Sequence, residues 1–215
     1  MKNLKTINEF WGAVIRRDMS SAVREEDRFH NKEELKDYLK KEIEKQGENV
    51  VIKNLDISGI GDLSNLFRGL LKNVKTLDLS GWNTEGVKSM VGMFHGCNSL
   101  ESIDLSGWDT SSVEDMRSVF SGCTNLKSID LSGWSSPNVK DMGYMFWNCA
   151  DITSLDLSGW NIDGVTDMSH MFCGCENLKS LDLSGWNINK MCMTYEMLCY
   201  CPAPYKIEDN KLIKK

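Results

Sequence analysis

The feature that most constrains this chain is an internal repeat of 26 residues. The hexapeptide Leu-Asp-Leu-Ser-Gly-Trp at 77–82 recurs, with Leu or Ile first, at 103–108, 129–134, 155–160 and 181–186. A variant hexapeptide, Leu-Asp-Ile-Ser-Gly-Ile at 55–60, precedes the first copy by 22 residues. A fixed period of this length is typical of repeat architectures, in which no unit buries its own apolar face and neighbours must stack.

Each repeat has two halves with different periodicity. Residues 178–186 read L-x-x-L-x-L-x-x-W, the leucine-rich-repeat pattern with Trp in the usual Asn or Cys position, and the alternation predicts a short strand. Residues 165–175 read V-x-x-M-x-x-M-F-x-x-C, and spacings of three and four predict a short helix. We therefore predict an α/β fold: a right-handed leucine-rich-repeat solenoid with a parallel sheet on one face, short helices on the other, and a helical N-terminal cap.

The repeats divide the chain into three parts. Residues 1–54 are predicted to form a helical N-terminal arm and cap, and residues 55–205 to form six leucine-rich repeats, mostly of 26 residues. Residues 206–215 hold a remnant of the pattern and a Lys-rich tail, which we expect to be mobile because chain ends with few apolar residues are weakly tied down.

The cap is predicted from helix signals. Asn31 is a candidate N-cap residue, and Leu35, Leu39 and Ile43 have the spacing of a buried stripe. Residues 4–15 fit a second amphipathic helix, which we interpret as packed on the cap, with a partner-binding arm as the alternative.

Repeats of the form LDLSGW followed by V-x-x-M-x-x-M-F-x-x-C resemble those of the BspA-like leucine-rich-repeat proteins. The resemblance covers roughly residues 29–205, including the leading helix at 30–47. It implies a solenoid fold and a role in adhesion or protein binding, without implying a catalytic activity or a cofactor. Members of that family are common on bacterial surfaces.

Charge and hydropathy restrict the partners. The net charge is −6, and residues 55–205 carry twice as many acidic as basic side chains, which argues against direct binding to nucleic acid or anionic membranes. No segment is long and apolar enough to span a bilayer. Asn8 and Glu9 interrupt any apolar run near the N-terminus, so we read no signal peptide and expect a cytoplasmic protein.

Stacking turns each repeated position into a column with a spacing of about 4.8 Å. An aspartate column on the strand face is interpreted first as a solvated ladder satisfied by neighbouring Ser hydroxyls, and alternatively as a track for a basic partner or cations. Its carboxylates have no accompanying nucleophile or His, so catalysis is not predicted. The column comprises Asp56, Asp78, Asp104, Asp130, Asp156 and Asp182.

The repeated Trp position is predicted to fill the core, although an aromatic row could also stack sugars or bases. The polar position after each Trp, such as Asn83 or Asp109, is predicted to bond backbone groups in the turn. A column of cysteines is predicted to consist of reduced, buried thiols, because it recurs at one register of the apolar pattern. These are Cys97, Cys123, Cys149, Cys175 and Cys201.

Three further cysteines, Cys173, Cys192 and Cys199, lie outside that column. The pairs Cys173–Cys175 and Cys199–Cys201, with His170 nearby, could suit a soft metal. Cys-x-Cys is not the usual zinc spacing, and half of these thiols should face inward. We therefore predict no metal site.

Variation against the repeated background indicates a second candidate surface. Tyr144 and Trp147 are three residues apart, where the other repeats carry Gly, Ser, His, Cys or Glu, and His170 follows at the position of Tyr144 in the next repeat. Exposed aromatic residues of this kind are typical of interface anchors. The alternative is that Trp147 folds over a neighbouring turn.

These observations predict a non-catalytic protein–protein interaction module without a cofactor. The alternative is an acidic intracellular inhibitor that occupies a basic nucleic-acid-binding protein, such as a phage-type inhibitor of a host nuclease. The candidate partner-binding residues are Tyr144, Trp147, His170, Asp78, Asp104, Asp130, Asp156 and Asp182.

Overall fold

The structure is a computed structural model that describes residues 27–134, 137–208 and 211–214. Within these ranges it contains one α-helix, α1 (Lys32–Gln46), and seven short strands. The strands are β1 (Asn49–Val51), β2 (Thr76–Asp78), β3 (Ser102–Asp104), β4 (Ser154–Asp156), β5 (Ser180–Asp182), β6 (Tyr205–Glu208) and β7 (Lys211–Lys214). The predicted helix at 4–15 lies outside the described residues.

Equivalent positions of successive repeats pair in parallel. Strands β1, β2 and β3 form one sheet and β4 and β5 form another, and all of these pairings are parallel. Leu77 lies opposite Ile103, and Leu155 lies opposite Leu181. The central apolar residue of each of these strands is buried between two more accessible neighbours. The predicted strand half of the repeat and its parallel pairing are confirmed.

The predicted register of the first repeat is wrong. Val50, not Leu55, pairs with Leu77, because Val50 and Ile52 supply the alternating buried side chains of β1. Asp56 instead forms a bridge with Asn83.

The likeness of the hexapeptide at 55–60 to the later copies is therefore not a structural equivalence. Asn54 has a φ of 59°, and its N–H donates to Ser80, just as Gly81 with a φ of 72° donates to Ser106. The first repeat thus begins at β1, seven residues before Asp56, and the signal for it is the apolar alternation of Val50 and Ile52.

The second half of each repeat consists of tight turns, so the predicted short helices are wrong: no α-helix lies within the described part of residues 55–205. Alternate N–H groups cross to the next repeat, as from Gly92 to Arg117 and from Phe94 to Val119, at 2.8 and 2.9 Å. The intervening groups close turns, as from Met93 to Met90. A left-handed residue such as Gly92 (φ 58°) interrupts the helical path, while turns of this length preserve the apolar spacing of three and four.

Aromatic columns fill the centre. The rings of Phe67, Phe94, Phe120, Phe146 and Phe172 stack in sequence with centroids 5.1 to 5.8 Å apart. The repeated Trp side chains are buried as predicted, and four of their indole N–H groups donate to a backbone carbonyl of the preceding repeat. These four Trp side chains therefore fill space and also tie two repeats together.

The cysteine column is confirmed as buried thiols that form no disulfide. Four of the five sulfur atoms donate to phenylalanine carbonyls of the preceding repeat, as from Cys149 to Phe120 and from Cys175 to Phe146, both at 3.1 Å. Burial raises the pKa of Cys149 to about 12 and also raises the pKa of Cys175. Ionisation, and with it reaction at these sulfurs, is suppressed at neutral pH.

The N-terminal cap follows its sequence signals. The Asn31 side chain accepts the N–H of Glu34 at 2.9 Å, and α1 buries Leu35, Leu39 and Ile43. At the other end, β6 and β7 form an antiparallel hairpin where the sequence predicted a mobile tail. Backbone pairing between the two strands orders this segment. Among the described residues no helix has the length and apolarity needed to cross a membrane.

We predict that thiol titration of the native, reduced chain labels few cysteines of the buried column, because their thiols are buried and most hold a backbone carbonyl. Denaturant should expose all of them. Peptide mass mapping checks the assignment, with the half-buried Cys199 as the more accessible reference. A disulfide between any two of Cys97, Cys123, Cys149 and Cys175 in the native chain would contradict the prediction.

Candidate interaction surface

Tyr144 and Trp147 lie on the turn edge of the repeats and are 42% and 39% exposed. Their surroundings are backbone turns. The N–H of Trp147 donates to the carbonyl of Tyr144 at 3.0 Å, and the N–H of Tyr144 donates to Ser169 in the next repeat at 2.9 Å. Large rings on this edge leave apolar area in contact with water.

The aromatic side chains continue into the next two repeats. The ring of His170 stacks on that of Tyr144 with centroids 4.7 Å apart, and Tyr195 meets His170 edge to face at 5.2 Å. We call Tyr144, Trp147, His170 and Tyr195 the aromatic patch. Sequence reasoning missed Tyr195, which is 67% exposed, because the last repeat departs from the common pattern.

The backbone does not require aromatic residues here. Tyr144 and His170 have φ values of 59° and 57°, in the left-handed region, and the equivalent residue two repeats before Tyr144 is Gly92. A side chain in that conformation costs roughly 1 kcal/mol relative to Gly. The fold alone would favour a small residue, so the rings of Tyr144 and His170 are present in spite of the local backbone.

A disulfide adjoins the patch. Cys173 and Cys199 occupy the position of Trp147 in the next two repeats and form a bridge with a Cα–Cα distance of 4.5 Å. A ring nitrogen of His170 and the two sulfurs all lie within 4.8 Å of one another. Cys175 and Cys201 point into the core, as predicted for half of these thiols. Sequence reasoning did not identify the bridge, although the shared position in adjacent repeats is a signal for it.

The aspartate column has five members on the strand face, since the corrected register removes Asp56. Asp104, Asp130, Asp156 and Asp182 are exposed, and Asp78 is half-buried with a 2.7 Å ion pair to Lys53. In each of the five, one carboxylate oxygen accepts the N–H of the Ser two residues later, at 2.8 to 3.1 Å. The hydrogen-bonded ladder is thus built mainly from backbone N–H groups, with Ser hydroxyls adding to it at Ser80 and Ser158.

Asp56 belongs to the polar column that follows each Trp. It is buried, and it accepts hydrogen bonds from Arg28, Ser58 and Asn83 at 2.7 to 3.1 Å. Burial raises its pKa, but the hydrogen bonds from Ser58 and Arg28 and the charge of Arg28 outweigh burial and hold the pKa below its usual value. Other members of the column accept the N–H two residues on, as Asn83 and Asp109 do, so the predicted turn role is confirmed.

A crevice of about 450 Å³ opens on the strand face between the third and fourth repeats. Asp104, Asp130 and Trp134 are among its lining residues, and only one bridge, Ser102 to Ser128, joins the two repeats there. The buried indole N–H of Trp134 has no partner among the described residues, which fits the local separation of the repeats.

A second acidic column, missed by the sequence analysis, lies on the turn edge. Asp115, Asp141 and Asp167 form successive parallel bridges, and Arg117 contacts Asp115 at 2.8 Å and Asp141 at 3.5 Å. Burial, together with the charges of Asp167 and Asp115, raises the pKa of Asp141 in spite of a hydrogen bond from the N–H of Gly143. The signal for the column is the tripeptide Val-x-Asp, which occurs three times at a spacing of 26 residues, at 113–115, 139–141 and 165–167.

We predict that Asp141→Asn stabilises the chain at neutral pH by about 0.5 kcal/mol, because it removes like-charge repulsion while its amide oxygen still accepts the Gly143 N–H. A carboxyl whose pKa is raised on folding costs stability once it ionises. The gain should therefore disappear as the pH falls below the ordinary carboxyl range, near 4. Thermal melts across pH provide the measurement.

Asp130→Asn is the matched control. The backbone N–H of Ser132 lowers the pKa of Asp130, so its ionised form is favoured on folding and neutralisation should bring no gain. Equal stabilisation by both substitutions would show that the overall negative charge of the repeats, and not the local surroundings of Asp141, governs the effect.

Comparison with known proteins gives a family without an assigned activity. A family model described as "Mycoplasma protein of unknown function, DUF285" matches residues 18–155 and, in a second overlapping match, residues 126–204. No curated protein and no solved structure matches the chain. Because the two matches together cover the cap and all the repeats, the chain belongs to the DUF285 family.

Proposed function

We propose that this chain is a non-catalytic protein-interaction module of the BspA-like type, whose repeats form a right-handed leucine-rich-repeat solenoid. Parallel pairing of equivalent residues on both the strand edge and the turn edge supports the solenoid. Membership of DUF285 and the LDLSGW repeats support the relation to BspA-like proteins.

The observation that carries the binding proposal is the aromatic patch. Tyr144, Trp147 and Tyr195 are all exposed, and two of them pack against His170. Stacked rings lose little side-chain entropy on binding because their neighbours already hold them in place. Exposed Tyr and Trp side chains are the kind of anchor that dominates the energy of protein interfaces.

The test begins with affinity capture from the native cells, using the wild-type chain and a Trp147→Ser variant in parallel. Proteins retained by the first and lost by the second are the candidate partners. Ser is the natural residue at this position in the preceding repeat, where Ser121 is buried without disturbing the turn.

For a captured partner we predict that Trp147→Ser weakens binding by about 2 kcal/mol, because a large anchor is lost. Tyr144→Gly, which restores the residue found at Gly92, should weaken binding as well while relieving the left-handed backbone. The melting temperature should change little in either case. Calorimetric titration and thermal melts measure the two effects.

Met191→Ser is the matched surface control, since Met191 is 85% exposed near the same end of the repeats and outside the aromatic patch. It should leave binding unchanged. A lowered melting temperature with unaltered binding for Trp147→Ser would show that this ring only covers a neighbouring turn.

The second candidate function, an acidic inhibitor of a basic nucleic-acid-binding protein, is favoured by one observation: the exposed carboxylates of the aspartate column on the strand face. If this face binds the partner, Asp104→Asn with Asp156→Asn should abolish most of the affinity. Binding should also weaken steeply as salt is added, because exposed charges are screened. Docking through the aromatic patch predicts little response to salt, so one titration series at increasing ionic strength separates the two functions.

A further inference from the structure

The sulfurs of Cys173 and Cys199 lie on the turn edge beside the ring of His170, where Cys173 is buried and Cys199 is half-buried. The two cysteines stand at one position of adjacent repeats, which fixes their Cα atoms 4.5 Å apart. Backbone hydrogen bonds on both sides hold this position: Asn148 donates to the Cys173 carbonyl at 2.8 Å, and Gly174 donates to the Cys199 carbonyl at 2.9 Å. The arrangement thus depends on the pairing of the repeats and does not require the disulfide to hold it.

Two thiolates and an imidazole are the ligands that a zinc ion prefers. The two sulfurs and one ring nitrogen of His170 lie within 4.8 Å of one another. A tetrahedral zinc ion with Zn–S bonds of about 2.3 Å needs its sulfurs about 3.8 Å apart, a separation that side-chain rotation supplies once the S–S bond is broken.

We propose that reduced Cys173 and Cys199, together with His170, form a Zn(II) site, and that the disulfide is the metal-free, oxidised form of the same site. Cys175 and Cys201 take no part, because the group of mutually close ligand atoms contains only His170, Cys173 and Cys199. The three-ligand set leaves the fourth tetrahedral position open to solvent or to an added ligand.

A dithiol can act as the reductant that converts the disulfide into the two thiols of the proposed site. Reduction breaks the Sγ–Sγ bond and adds two electrons and two protons to the pair, while the dithiol is oxidised to its own disulfide. Zinc binding then displaces both thiol protons, so that the ion is held by two thiolates and one neutral imidazole.

The surroundings of His170 suit a ligand role. Tyr144 stacks on its ring, Tyr195 meets it edge to face, and the carboxylate of Glu196 lies 3.5 Å from Nδ1. Ring contacts and a nearby carboxylate fix the orientation of a histidine. The imidazole therefore needs little rearrangement to bind the ion.

The experiment uses the full chain, reduced with a dithiol that is then removed without air, and Co(II) as a spectroscopic probe for zinc. We expect sulfur-to-cobalt charge-transfer absorption that saturates at one ion per chain and is abolished by added Zn(II). The oxidised chain should show none. His170→Ala and Cys199→Ser should each weaken Co(II) binding on the order of a hundredfold or more.

The control variant is His95→Ala, because His95 is at the same repeat position as the two cysteines but three and four repeats earlier. It should bind Co(II) like the wild-type chain. A readout that needs no variant is alkylation: Zn(II) should protect Cys173 and Cys199 in the reduced wild-type chain, as located by peptide mass mapping.

Absence of the cobalt absorption from a reduced chain that keeps its native Trp fluorescence would overturn the proposal. Binding that survives both His170→Ala and Cys199→Ser would also overturn it, since the ion would then be held by other groups. Equal alkylation of Cys173 and Cys199 with and without Zn(II) would have the same meaning.

Discussion

Hydrogen bonds from the backbone of one repeat to the backbone of the next hold every other feature of this structure in place. They run along the strand edge, as from Leu79 to Asp104, and along the turn edge, as from Gly92 to Arg117. Two such edges fix the distance and rotation between neighbouring repeats. Side chains at one repeat position are then forced into columns, whether they are Phe rings, thiols or carboxylates.

The columns differ in how well their members tolerate this enforced proximity. Apolar rings are stabilised by the close spacing, because stacked Phe and Trp side chains exclude water and fill the space between repeats. Carboxylates repel one another at this spacing, and local contacts offset the repulsion. Each aspartate of the strand-face column accepts a backbone N–H, and Arg117 contacts both Asp115 and Asp141. Function is therefore best sought where a column changes residue type, as it does from Ser121 to Trp147 to Cys173.

Much of the fold follows from the sequence because its strongest signals are periodic. The strands, the parallel register of the later repeats, the buried Trp and Cys columns and the N-cap at Asn31 all follow from spacing alone. The helical prediction failed because an apolar spacing of three and four fits a series of turns as well as a helix, and left-handed residues at non-glycine positions such as Tyr144 carry no sequence signature. The first repeat was misaligned because the likeness of residues 55–60 to the later copies concealed the alternation of Val50 and Ile52.

The candidate site was only partly visible for a related reason. Tyr144, Trp147 and His170 were identified as departures from a repeated background, but Tyr195 and the bridge between Cys173 and Cys199 depend on how the irregular last repeat is placed. Periodicity states which residues share a column. It does not state how closely two side chains of one column, or of neighbouring columns, approach each other, and that distance decides between a docking surface, a bridge and a ligand set.

The near-identity of the repeats affects how the chain folds. Because the repeats are so similar, one repeat can pair with the wrong neighbour, either within the chain or in a second molecule. Such a mispairing loses little local contact energy. Features that occur once among the described residues make the correct pairing distinguishable. They are the helix that Asn31 caps, the hydrogen bond between Thr76 and Asn49, and the disulfide between Cys173 and Cys199. The irregular ends thus favour the correct pairing in a chain whose repeats are otherwise nearly interchangeable.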